Sequence, residues 1–99
     1  MKVAVFGTNI SPDFIPVLQH FFRFLTENNI PVHIYRPFFD HLKSDMKFAP
    51  NVRDFFTSHE DFDGSVEYIF SIGGDGTFLQ SFLNTRNYHI PLVGVNSGR

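Results

Sequence analysis

A β-prone run, Tyr68-Ile69-Phe70-Ser71-Ile72, passes directly into Gly73-Gly74-Asp75-Gly76-Thr77 and then into Phe78-Leu79-Gln80-Ser81-Phe82-Leu83. Strand, glycine turn and helix in immediate succession are the building step of an α/β sheet, and nothing else in the chain narrows its fold as far. Glycines at such a turn let backbone N–H groups come close to a phosphate, and the following helix presents its positive end to the same point. Asp75 is out of place in a plain phosphate cradle, because its charge repels the ligand. It fits if the carboxylate accepts a proton from a hydroxyl that is being phosphorylated. The turn therefore points to phosphoryl transfer rather than to simple nucleotide binding.

The rest of the chain repeats the same alternation. Residues 3–6 are a short apolar run closed by Gly7-Thr8-Asn9, as in a buried first strand. Ser11 followed by Pro12 is an N-cap and a first-turn proline. Phe14, Leu18, Phe21 and Leu25 then recur every three or four residues, and Ile15 and Phe22 widen that helical face. Asn28-Asn29 ends the helix, and residues 30–35 read as a second strand between Pro31 and Pro37. Residues 37–48 carry a weaker helical pattern in Phe38, Leu42 and Met46, and residues 51–56 read as one more turn or short helix. Residues 57–65 are polar and acidic, hence a loop. After the glycine turn comes a helix to Leu83, its end at residues 84–87, and a last strand at 91–95.

Strands alternating with helices predict a single α/β domain over residues 1–99, built on a small parallel sheet with helices on both faces. Parallel strands bring their carboxyl ends to one edge, where open α/β sheets bind ligands. The three turns at 7–9, 73–77 and 94–98 are expected to line one crevice there. Gly7-Thr8-Asn9 itself reads as an ordinary strand-to-helix turn whose position also permits a phosphate contact.

Charge and cysteine content remove several function classes. A net charge of −2 with both signs interspersed leaves no footprint for nucleic acid or an anionic membrane. With no cysteine, neither a disulfide framework nor a thiolate metal site is available. No apolar stretch approaches the roughly 20 residues of a membrane span, and the amino-terminal apolar run is too short for a signal peptide; the expectation is a cytoplasmic protein. The five histidines lack metal-ligand spacing and are expected at the surface or half-buried. Glu60, Asp61 and Asp63 are expected in a solvated loop. Fourteen phenylalanines in a chain this small leave two readings: Phe replaces Leu throughout the core, or some rings lie on a surface covered by another domain or subunit.

The turn at 73–77 followed by Phe78-Leu79 resembles the signature of the NAD kinases, and Gly94-Val95-Asn96-Ser97-Gly98-Arg99 resembles the start of their second motif. Residues 73–79 and 94–99 carry the specific likeness; the remainder of the chain is similar more loosely. The resemblance implies a Rossmann-like or phosphofructokinase-like amino-terminal domain that stops inside the second motif, with a C-terminal β-rich domain absent. It implies phosphoryl transfer from ATP or polyphosphate to the 2′-hydroxyl of the adenosine ribose of NAD, giving NADP, with Mg²⁺ or another divalent cation. Asp75 would be the proton acceptor; Gly73, Gly74, Gly76 and Thr77 would shape the turn around it; Asn96 would lie on a neighbouring turn of the same site. The family commonly forms dimers or tetramers. No residue is expected to form a separate metal motif, and residues 1–99 alone are expected to be catalytically silent. Gln80 stands where relatives often carry a basic residue, which removes a charge contact from that position.

Plainer roles exist for the same residues. Asp75 also suits a helix N-cap, and Asn96 also suits a left-handed turn position. Lipid kinases of the diacylglycerol type share the glycine turn, but the Asn-Asp pair they carry after the next strand is missing here. Phosphofructokinases place a Gly-Gly-Asp turn after their first strand, where this chain has Gly7-Thr8-Asn9. A non-catalytic flavodoxin-like module needs no acid in its glycine turn.

Overall fold

The computed structural model describes residues 1–8, 10–58, 65–73 and 90–95. Among them, five strands form one parallel sheet in the order β3-β2-β1-β4-β5. Strand β1 (Lys2–Gly7) sits in the middle, flanked by β2 (Val32–Tyr35) and β4 (Val66–Ile72); β3 (Asp54–Phe56) and β5 (Leu92–Val95) form the edges. The short, near-continuous apolar strand β1 is what a position covered on both faces requires. Val3 and Val5 join a core under the helices, while Ala4 and Phe6 join a second cluster on the other face with Phe56, Val66 and Ile69.

The first helix begins as the sequence predicts. Ser11 caps a 3-10 turn at Pro12–Phe14, its Oγ accepting from the Asp13 amide at 3.4 Å. That turn runs into α1 (Ile15–Glu27), whose Leu18, Phe22 and Leu25 are buried. Phe22 occupies the centre of the stripe and Phe21 its flank, one position round from the reading that put Phe21 in line. At the carboxyl end Asn29 is left-handed, with φ 54°, and the Ile30 amide closes back onto the Leu25 carbonyl at 2.9 Å. Asparagine tolerates that conformation, and the closure is a common helix stop.

Helix α2 (Arg36–Asp45) buries Phe38 and Leu42. It ends three residues before the predicted Phe48, because Lys47 adopts φ 56° and turns the chain so that Phe48 packs on the Phe22 ring at 5.9 Å. The turn or short helix expected at 51–56 is instead an extended segment carrying β3. The Arg53 amide bonds to the Val32 carbonyl at 2.8 Å and starts a parallel ladder with β2. Three residues are too few to show a period of two, so the strand left no pattern to read.

Both α1 and α2 pack on the same face of the sheet, consistent with successive right-handed crossovers running from β1 towards β3. The helix predicted after the glycine turn, and most of the acidic loop, lie outside the described residues. Among the described residues, one histidine departs from expectation. His33 is buried on the face opposite the helices, bonded through Nδ1 to Asp54 and stacked on Phe56 at 5.2 Å between ring centres.

Candidate functional site

An open parallel sheet forms a crevice at its carboxyl edge where the path of the chain across the sheet reverses. The observed order puts that reversal between β1 and β4. Gly7, the last residue of β1, is the register partner of Ile72, the last residue of β4, and Ile72 is opposite Val95 at the end of β5. Three strand exits therefore stand side by side, and the glycine turn begins from the middle one.

Gly73 has φ 99°, a conformation that residues with a side chain rarely adopt. Its amide donates to the Val95 carbonyl at 2.9 Å, adding one bond to the β4–β5 ladder as the chain leaves the strand. That N–H is consequently committed to the sheet. Gly73 shapes the turn; any amide offered to a phosphate has to come from a later residue.

Gly7 has a different reason to be glycine. A Cβ built there would lie 2.7 Å from Cε1 of Phe38, whose ring is fully buried. The close approach at the end of β1 is made by a ring of the protein's own core. This favours the reading of Gly7-Thr8 as a strand-to-helix turn.

Ser71 is the residue that sequence reasoning passed over. Its position facing Phe6 and Gly94 on the neighbouring strands places it on the sheet face away from α1 and α2, two residues before Gly73. It is buried, and Oγ has no hydrogen-bond partner among the described residues. Buried hydroxyls without a partner are uncommon. A lone serine inside the apolar run at 68–72 was the available signal.

Gly74, Asp75, Gly76, Thr77 and Asn96, together with Gln80, lie outside the described residues, so the structure places only Gly73 from the predicted ligand set. Away from the crevice, Lys2 at the start of β1 and Asp54 at the start of β3 approach to 3.6 Å, with His33 on the same carboxylate. Cavities of about 350 and 430 Å³ run along the carboxyl-terminal half of α1 and residues 48–53, lined in part by Thr26, Asn51 and Arg53; neither includes Gly7 or Gly73. No helix among the described residues is long and apolar enough to cross a membrane.

Residues 3–99 match the family model described as the ATP-NAD kinase N-terminal domain. Over all 99 residues the chain is 42% identical to an NAD kinase of Flavobacterium psychrophilum, and it covers 33% of that protein. It is 33% identical to an NAD kinase of Flavobacterium johnsoniae, again over the whole chain and 33% of the relative. An NAD kinase of Cytophaga hutchinsonii is 36% identical over the whole chain and 34% of its own length. The chain thus spans about a third of the curated relatives it matches. No solved structure matches it.

Proposed function

The chain belongs to the NAD kinase family, and from that premise we propose that the complete polypeptide transfers a phosphoryl group from ATP, or from polyphosphate, to the 2′-hydroxyl of the adenosine ribose of NAD. The ribose oxygen attacks the terminal phosphorus, the bond from that phosphorus to its bridging oxygen breaks, and NADP and the shortened donor leave. Asp75 takes the proton lost by the hydroxyl. Gly74, Gly76 and Thr77 wrap the turn around the reacting groups, and Asn96 contacts the nucleotide from the neighbouring strand exit.

The observation that carries this reading is the position of Gly73 at the reversal point of the sheet, in its positive-φ conformation and tied to Val95. Asp75 follows two residues later, and two residues of chain reach at most about 7 Å. An ordinary aspartate, with a pKa of about 3.9, is a weak base for a ribose hydroxyl. In a loose phosphoryl-transfer transition state the nucleophile loses its proton late, so position matters more than basicity.

A divalent cation, when bound, would neutralise charge on the donor phosphates. Mg²⁺ typically keeps several waters and takes few protein ligands. Among the described residues no three His, Asp or Glu side chains stand together as a cation cage, and none is assigned to it here. The complete enzyme is further read as a cytoplasmic dimer or tetramer, while residues 1–99 alone form no NADP.

The test is Asp75→Asn in the longer polypeptide, assayed for NADP formation with diacylglycerol and sugar phosphate as control acceptors. Loss of about 10²–10⁴ in turnover with an unchanged circular dichroism spectrum is the expected result. Unchanged turnover would remove Asp75 from the chemistry.

A further inference from the structure

Helix α1 and the segment leading into β3 enclose a groove at the amino edge of the sheet. Its two ends are the cavities of about 350 and 430 Å³ described above, and Thr26 and Asn51 line both, so the two adjoin. Volumes of this order are those of small-molecule sites. The wall formed by residues 48–53 is pinned at both ends. The Phe48 amide bonds to the Leu42 carbonyl at 2.9 Å, and the Arg53 amide to the Val32 carbonyl at 2.8 Å. Buried Phe22 and Val32 anchor the floor, and the Phe48 ring rests on Phe22.

The two ends differ in chemistry. The smaller is lined by Thr26, Asn29, Asn51 and Arg53, which carry a hydroxyl, two carboxamides and a guanidinium; Arg53 is the one charged residue among its described lining. The larger is lined by Phe22, Phe48, Ala49 and Pro50, with Arg23 and Glu27 offsetting each other in charge. The carboxyl end of α1 lies beside the polar end and by itself disfavours an anion. Its last carbonyls are already engaged, however: those of Phe24, Leu25 and Thr26 accept from the Asn28, Ile30 and Asn29 amides. A guanidinium fork matches carboxylate and phosphate oxygens alike.

We propose that this groove binds a small organic anion, with the oxyanion on Arg53, Asn29 and Asn51 and the apolar body against Phe48 and Pro50. Strand β1 starts beside the groove, where the Val3 amide bonds to the Pro31 carbonyl, and it ends at Gly7 in the crevice. A strand of six residues spans about 20 Å. The anion bound here is therefore a ligand additional to the phosphoryl donor and acceptor. The proposal is argued from the groove and does not rest on the role of Asp75.

The test uses the longer polypeptide labelled with ¹⁵N and titrated with phenyl phosphate, benzoate or neutral benzyl alcohol. Amide shifts at residues 26–32 and 48–53 are followed by NMR. Saturable shifts there are expected with at least one of the two anions, and the anion that binds tighter tells a phosphate from a carboxylate ligand. Benzyl alcohol should bind at least about tenfold more weakly, as should the anion to Arg53→Gln, since a hydrogen bond to a charged group is worth about that factor. Arg53 is exposed and its backbone bond to Val32 is kept, so the variant should fold. Arg23→Gln, at the apolar end, should change the anion's affinity less than Arg53→Gln does. No shift at these residues with either anion at roughly 10 mM, weaker than any useful site, overturns the proposal. So does equal binding of benzyl alcohol, or an unchanged affinity in Arg53→Gln. None of these readouts is turnover, so an empty groove and an inactive Asp75 variant are distinguishable results.

Discussion

The ring of Phe38 fills the space that a side chain at Gly7 would need. The β1 exit and helix α2 are fitted to each other at a distance no alanine allows, with a hypothetical Cβ 2.7–2.9 Å from three ring carbons. Gly7→Ala is therefore expected to lower stability by about 1–3 kcal/mol, the usual cost of overpacking a filled core. Urea or thermal unfolding measures it. The double variant Gly7→Ala/Phe38→Leu should lose less than the two single losses added together; strict additivity would show that the two positions do not share that space.

Gly73→Ala places a Cβ on a residue at φ 99°. The strain should cost about 1–3 kcal/mol, or be relieved by swinging the turn and releasing the Val95 bond. Amide exchange at residue 73 separates the two outcomes. In the longer polypeptide the same change should reduce NADP formation without abolishing folding.

Ser71→Ala should be neutral or stabilising by up to about 1 kcal/mol, because the buried Oγ it removes has no hydrogen-bond partner among the described residues. Ser71→Val, which adds volume between Phe6 and Gly94, should destabilise. Denaturant midpoints check both. A loss above about 1 kcal/mol in the alanine variant would mean that the hydroxyl has a partner in solution.

Asp54 joins Lys2 and buried His33 across three strands. Asp54→Ala should destabilise by about 1 kcal/mol, since the carboxylate is 45% exposed and water can replace part of what it gives His33. Lys2→Ala, which breaks only the 3.6 Å contact, should cost less. If the two variants lost equal stability, His33 would not be the principal partner.

Fold class was readable because two kinds of signal agreed: Ser11-Pro12 and the Phe14–Leu18–Leu25 spacing on one side, and short apolar runs ending in glycine on the other. Strand order was not readable, since it depends on pairing between residues distant in sequence. β3 was hidden by its length and by its dependence on a bond from Arg53 to Val32. His33 could not be placed from its neighbours, because its burial depends on Asp54 and Phe56 of another strand. For the site, the sequence supplied the glycine turn, and the structure supplied the location of its first residue, Gly73, at the β1–β4 reversal. It also separated two glycines that look alike in the sequence: Gly7 yields to a ring, and Gly73 supplies a backbone angle.

The single bond from the Gly73 amide to the Val95 carbonyl makes the outermost strand a lever on the loop beside it. Load drawn through β5 is shared along the β4–β5 ladder, and the bond from the Gly73 amide is the last rung before the chain leaves β4. Exchange of one amide proton is then a gauge of how firmly the two strand exits are held in line.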